Sequence, residues 1–587
     1  MSADPKVLLS DLLQRALASV APDLVDTPIL LERPKQASHG DFASNLALQL
    51  AKPLKRNPRE LAALLVAELP PSPLLAKVDI AGAGFINFTL AAAAKTAVVT
   101  EVLHRGEDFG RGAPKGVKVQ VEFVSANPTG PLHVGHGRGA AYGASLCNVF
   151  DFAGYAVTRE YYVNDAGRQM DILAVSVWLR YLALFGKTID FPPNCYRGDY
   201  VVTMAGDLRD AHQDRFARFE LEQILAGTPG LPDAERQDDE AGRQREAHLD
   251  ALIARAKELL GNDYAWVHGF ALNEQLGDGR ADLSEFGVRF DNWFSEQSLF
   301  QTGLVERVVS ELEKRGHIYL QDGAKWFRST DFGDEKDRVV QRDNGLYTYF
   351  ASDIAYHLNK YERGFDRIID IWGADHHGYI ARVKGAITAL GLDVSKFEVA
   401  LVQFAVLYRN GQKTSMSTRS GEFVTLRQLR EEVGNDGCRF FYVLRKSDQH
   451  LDFDLDLAKS QSNDNPVYYV QYAHARVCSV LRQWDGELAE LRAVDLAALV
   501  NERELALCAR LAAFPEQIQH AAADQAPHQL AFYVKELAGE FHSWYNAERM
   551  LVEDEALKLA RLALAAAVRQ VLASGLQLLG VSAPESM

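Results

Sequence analysis

Several familiar features are missing from this 587-residue chain, and each absence removes a class of answer. The five cysteines, at 147, 195, 438, 478 and 508, are odd in number, far apart, and never form C-x-x-C. That excludes a disulfide scaffold and a cysteine-ligated zinc site, and implies reduced thiols. No run approaches the ~20 apolar residues that cross a bilayer, and the opening "MSADPKVLLSDLLQRALASV" has neither the basic start nor the unbroken apolar core of a secretion signal. A cytoplasmic location without membrane attachment is the expectation. Excess positive charge is missing too. With 79 acidic against 63 basic residues the net charge is −16, which argues against a surface coated in nucleic-acid-binding charge but leaves room for a local basic path. Neither G-x-x-x-x-G-K-[ST] nor the dinucleotide G-x-G-x-x-G occurs at the critical loop, so the commonest phosphate-binding loops are excluded there.

What is present is a chain long enough for several domains, since single cores stop growing near ~250–300 residues. Residues 1–108 pattern as a small α/β unit, and "FGRGAPKG" (109–116) reads as a linker. From 117 to about 460, strand signals at 117–124, 155–163, 325–329, 367–373 and 397–408 alternate with helical patterns, interrupted by an irregular insertion at about 190–330. Residues 464–587 pattern as helix throughout. The expected fold class is multidomain α/β: a doubly wound parallel sheet of Rossmann type carrying the insertion, a small N-terminal α/β domain, and an all-α C-terminal domain.

The chemistry concentrates after the first strand of that sheet, in "ANPTGPLHVGHGRG" (126–139). A strand, a Gly/Pro-rich loop and a helix present free backbone N–H groups and a positive dipole end to an anion. His133 and His136, three apart at the helix start, face one way and can donate to phosphoryl oxygens. Gly135 and Gly137 leave space where a flat base could lie on the backbone. A metal site would need a third ligand, which is not nearby, and a merely stiff turn is the remaining alternative. Farther on, "YTYFASDIAYH" (347–357) sets Tyr349 and Asp353 four apart, on one helical face. "WGADHHGY" (372–379) ends a strand and brings Asp375 and His376 to the sheet's carboxyl edge, where a metal is an alternative reading.

The string "VEFVSANPTGPLHVGHGRG" (121–139) resembles the arginyl-tRNA synthetase version of the class I signature H-I-G-H. The resemblance extends over essentially the whole chain and implies that arginine, ATP and tRNA(Arg) are the partners, with aminoacylation passing through an arginyl-adenylate, Mg²⁺ accompanying the nucleotide, no structural metal, and a monomer as the usual state. It places His133, Gly135 and His136 in catalysis, and Pro131, Leu132, Val134, Gly137, Asp375, His376 and Gln403 around ATP. It places Glu122, Ser125, Asn127, Asn164, Asp165, Tyr349 and Asp353 around arginine, with Tyr349 and Asp353 holding the guanidinium. The second family signature, K-M-S-K-S, aligns with Met416 and Ser417 in "RNGQKTSMSTRSGEFVTL" (409–426), but Ser415 and Thr418 stand where its lysines belong. Lys413 and Arg419 are the local cations available to replace them. In the helical region, Tyr472, His474, Arg476, Trp544, Tyr545, Arg549 and the final Met587 match positions expected to meet tRNA, with aromatic planes and cations suited to unpaired bases. Two other readings compete: a tRNA-independent nucleotidyltransferase of the same fold, which leaves the large helical domain without a task, and a non-catalytic RNA-binding relative, favoured only by the missing lysines.

Overall fold

The computed structural model describes residues 5–34, 36, 39–233, 235–414 and 424–587. Its centre is a five-stranded sheet of β1 (Lys118–Glu122), β2 (Ala156–Val163), β3 (Asn292–Ser295), β4 (Arg367–Gly373) and β5 (Phe397–Val402), all parallel, in the order β5-β4-β1-β2-β3. This is doubly wound order. The chain reverses direction of winding between β1 and β4, so their carboxyl ends open a crevice. Helix α1 (Val134–Phe152) covers the sheet, and its small residues let it lie close: a Cβ at Gly143 would sit 2.4 Å from the Phe123 ring. Helix α2 (Arg168–Leu184) follows β2.

Two strand signals fell elsewhere than expected. Ala324–Phe327 joins a separate antiparallel sheet with Ile318–Gln321 and Arg338–Gln341, while the parallel sheet's third strand is the short, polar-ended Asn292–Ser295. The apolar run 397–408 breaks at Gln403 and Phe404: β5 ends there, and Ala405–Arg409 pairs with Leu451–Asp454 and with Gln412–Lys413. Between β2 and β3 the insertion is helical and builds its own core from Met170, Trp178, Val201, Leu252 and Val267. Helix α3 (Tyr349–Glu362) then returns the chain to β4.

The N-terminal unit packs Leu9, Leu13, Leu17, Phe42 and Phe88 between helices and a four-stranded antiparallel sheet, and its core ends at Leu90. The next helix, Ala92–Arg105, lies within the expected first domain but turns Val98, Val99 and Val102 into the main core against the C-terminal helices. By packing, the unit closes near residue 91 rather than 108. The C-terminal part is helical: α4 (Asn435–Val443) ends the catalytic body, and α5 (Pro466–Trp484), α6 (Pro527–Ala547) and α7 (Glu555–Leu578) build the bundle. Helix α7 corrects one sequence reading. It is long and apolar enough to cross a membrane by composition, at mean hydropathy 1.4, yet 78% of that stretch is buried against its neighbours. It serves as the bundle's core helix.

Candidate active site

The crevice at the β1–β4 switch point gathers most of the expected site. His133 is the N-cap of α1: its Nδ1 accepts from the Gly135 N–H at 3.1 Å, while His136 Nδ1 accepts from the His133 N–H at 3.3 Å. The two histidines thus satisfy helix-start donors that would otherwise lack partners. The rings stack with centroids 3.7 Å apart. Burial lowers both pKa values, and for His136, with His133 beside it, down to about 3. Both rings are therefore neutral at pH 7. Because each Nδ1 accepts a hydrogen bond, each Nε2 carries the proton, giving two N–H donors beside a helix N-terminus. A Cβ at Gly135 would come 2.8 Å from His133 Nδ1, so glycine is what allows this cap.

The second signature is tied to the first. Val134 N–H donates to the Val424 carbonyl at 3.1 Å, Leu426 N–H donates to the Leu132 carbonyl at 2.8 Å, and His133 bridges Thr425. The exit of the 409–426 segment is thus fastened beside His133. Lys413 stands exposed at its entrance, paired across the hairpin with Tyr408. Met416, Ser417 and Arg419 lie outside the described residues.

On the other side of β1 the site is acidic. After Glu122, Val124 and Ser125 take φ of 67° and 41°, a costly turn for non-glycine residues, which aims the Ser125 hydroxyl at Glu122 Oε1, 2.9 Å away. Glu122 Oε2 accepts from Lys360 Nζ at 2.6 Å, and Lys360, wholly buried, also donates to Asp370 Oδ1 at 2.6 Å. Burial raises the Glu122 pKa although Lys360 pulls it down. Asp353 differs. Its side chain accepts from the Tyr379 hydroxyl, burial raises its pKa, and no cation pairs with it among the described residues. A carboxylate kept from water without a cation is a site for one to arrive. Nearby, Asn164 Nδ2 donates to Asn127 Oδ1 at 3.3 Å, while buried Asn164 Oδ1 has no hydrogen-bond partner among the described residues. A Cβ at Gly167 would lie 3.0 Å from both that oxygen and the Tyr349 hydroxyl, so Asn127, Asn164 and Tyr349 share one wall. Asp375 and His376 stand exposed at the end of β4, 3.6 Å apart, and Gln403 is exposed after β5. No group of three or more His, Cys, Asp or Glu among the described residues is placed to hold a metal ion.

Other expected contacts are occupied by structural work. Asp165 accepts from Ser295 Oγ at 2.6 Å and from the Gln297 N–H at 2.8 Å, joining the ends of β2 and β3. Leu132 and Val134 bury their side chains in the core, leaving Pro131 half-buried at the loop. Gly137 faces inward: a Cβ there would meet the Tyr442 hydroxyl at 2.7 Å, so it makes room for packing rather than a base. In the bundle, Trp544 is fully buried and His474 is buried with Nδ1 2.9 Å from the Pro584 carbonyl, so neither ring offers a face to RNA. Arg476 instead lies over Tyr472 at 4.4 Å and Tyr545 at 4.9 Å, an accessible ladder, with Arg549 and Met587 exposed. Sequence reasoning missed Lys360, Arg138 and Phe404. The signals were present: a lysine one helical turn past Tyr356, an arginine inside an apolar helix, and a phenylalanine just beyond a strand end.

Three family models match in chain order: the arginyl tRNA synthetase N terminal domain at 8–90, the class I (R) tRNA synthetase catalytic domain at 98–181 and 280–442, and the DALR anticodon binding domain at 470–587. The chain is 82% identical over 587 residues to an arginine–tRNA ligase of Azoarcus sp. (strain BH72), covering all of both. It is 55% identical to one from Legionella pneumophila (strain Paris), covering 99% of each. A structure described as a putative arginyl-tRNA synthetase from Campylobacter jejuni superposes with a TM-score of 0.73 at 29% identity, covering 85% of this chain and all of that one. The Thermus thermophilus arginyl-tRNA synthetase shares the fold at TM-score 0.71 and 24% identity, with 99% of both chains covered. On domain order and full-length identity, the chain belongs to the arginyl-tRNA synthetases, class I ligases that use ATP to attach arginine to tRNA.

Proposed function

We propose that the reaction runs in two steps in the β1–β4 crevice. The arginine carboxylate attacks the α-phosphorus of ATP, pyrophosphate leaves, and a hydroxyl of the terminal tRNA adenosine takes the arginyl group from the adenylate, releasing AMP. No general base is needed for activation; positioning and charge stabilisation supply the rate. The observation that carries this reading is the pair of neutral histidines presenting Nε2–H donors at a helix N-terminus, in the same crevice as an acidic wall whose Asp353 has no ion-pair partner among the described residues. His133 and His136 then hold phosphoryl oxygens, Asp375, His376 and Gln403 border the nucleotide, and Asp353 with Tyr349 takes the guanidinium. Glu122, held by Ser125 and Lys360, contributes a second negative charge, and Asn127 and Asn164 face the amino-acid end. Mg²⁺ arrives on the triphosphate and its waters rather than in a protein cage. The Tyr472–Arg476–Tyr545 ladder and Met587 belong to the tRNA path. The inward packing of α7 supports a cytoplasmic enzyme free of membrane, and a monomer is the state expected of this family.

Pyrophosphate exchange into ATP, run with each amino acid with and without tRNA, tests the reading. Exchange is expected with arginine alone and only with tRNA present. Exchange driven by another amino acid would refute the pocket assignment, and none under any condition would favour a binding-only protein. Lys413→Ala and Arg419→Ala, singly and together, test the surrogate cations: at least one should slow activation.

A further inference from the structure

We propose that Arg138 is a positioning residue for ATP, clamping the Gln403–Phe404 turn against the helix that carries His133 and His136; this rests on the reading that this face of the crevice takes the nucleotide. Arg138 lies on α1 five residues beyond His133 and is 1% exposed. Its guanidinium donates to the Gln403 carbonyl at 2.8 Å, the Gln449 carbonyl at 2.7 Å and the Lys446 carbonyl at 2.9 Å. No carboxylate stands among those three partners. A buried cation is costly, and here its charge is spent on neutral backbone carbonyls. That use makes sense where backbone position itself must be fixed, and the planar five-donor fork holds its acceptors in a rigid geometry that a lysine's freely rotating ammonium does not impose.

The segments it fixes are those that meet the site. Gln403 follows β5, where the parallel ladder ends, and its N–H donates to the Ser447 carbonyl at 2.9 Å, so its N–H is tied to the 446–449 turn directly and its carbonyl through Arg138. Phe404, next along, is 46% exposed, and its ring would lie 3.4 Å from a Cβ placed at Gly135, between the two histidines. A large aromatic left in the open beside a phosphate-binding helix start is a stacking surface for a flat base. Beyond it Ala405–Arg409 and Gln412–Lys413 pair as the hairpin that leads into the second-signature segment. After that segment, Val424 and Leu426 are bridged to Val134 and Leu132. Arg138 thus fastens the approach to that segment, while the start of the same helix and the loop before it fasten the departure.

The test compares wild type with Arg138→Met, Arg138→Lys and Phe404→Ala in pyrophosphate exchange, with KM for ATP and for arginine measured separately and melting curves recorded. Arg138→Met is expected to raise KM for ATP about tenfold while KM for arginine stays within about twofold, with Arg138→Lys in between. Should Arg138→Met fail to fold, Arg138→Lys must still raise KM for ATP about threefold. A lowered melting temperature with both KM values unchanged, or both raised equally, would show Arg138 to be ordinary core packing and overturn the proposal. Phe404→Ala separates the two levels. If it raises KM for ATP and the Arg138 variants do not, the clamp fails and the nucleotide face stands; if Phe404→Ala leaves KM for ATP unchanged, the nucleotide face itself is misplaced.

Discussion

Asp353 offers the sharpest perturbation, because among the described residues no cation forms an ion pair with it. Asp353→Asn keeps the volume and an oxygen that can accept from Tyr379, so the loss is almost purely electrostatic. Removing one partner of a buried, hydrogen-bonded charge pair costs about 2–5 kcal/mol. At about 1.4 kcal/mol per decade that is a fall of roughly 30-fold to 4,000-fold in kcat/KM for arginine, with KM for ATP unmoved. Stability should respond in the opposite sense. Burial, only partly offset by the Tyr379 hydroxyl, holds the Asp353 pKa above the ordinary carboxylate value, so the folded state binds its proton more tightly than the unfolded chain. The associated stability is present below the unfolded value and is lost as pH rises through the folded one. The substrate-free variant should therefore melt no lower than wild type at neutral pH, and arginine should raise the melting temperature of wild type far more than that of the variant. Steady-state exchange kinetics and paired melting curves decide it. A kcat/KM for arginine within about threefold of wild type, or an equal rise in KM for ATP, would refute the assignment of Asp353 to the guanidinium.

Replacing His133 or His136 by Ala should slow activation by about 10²–10³-fold, the usual cost of losing a donor to a developing negative charge; since burial lowers both pKa values, wild-type activation should show no limb from these rings near pH 6.5, while stability falls as pH drops from there toward about 3, where His136 protonates in the fold. Gly137→Ala drives a Cβ to 2.7 Å from the Tyr442 hydroxyl, which itself donates to the Val134 carbonyl, and should cost about 1–3 kcal/mol in denaturant melts. Trp544→Ala should cost about 3–5 kcal/mol by emptying the bundle core. Arg476→Ala, by contrast, should leave melting nearly unchanged and raise KM for tRNA.

The part of the fold legible in sequence was the part with strong local pattern. β1, β2 and β4 were placed because alternation in the first and enrichment in Val, Ile, Thr and Tyr in all three mark strands. β3 was missed because "NWFS" is four residues long, with side chains only half-buried, so neither length nor alternation marks it. The break in 397–408 was missed because both halves are apolar; what separates them is the exposure of Gln403 and Phe404, a tertiary fact. At the site, His133 and His136 could be read from spacing, since a helix start fixes their direction. Asp165 could not, because its carboxylate serves Ser295 and Gln297, more than a hundred residues away.

The helical domain differs, for there the information on which rings face inward was in the sequence. Leu530, Val534, Leu537, Phe541 and Trp544 recur at intervals of four, three, four and three, and all are buried. That spacing is the inward stripe of a packed helix, and by periodicity alone it assigns Trp544 to the core. Val467, Val470, His474, Val477 and Leu481 repeat the pattern and take His474 inward with them. A residue one place off such a stripe sits about 100° around the helix, which is why Tyr545 keeps a ring surface for Arg476 while Trp544 does not. Aromatic character proposes a base-binding residue; the phase of the apolar repeat decides whether the ring is free to bind one.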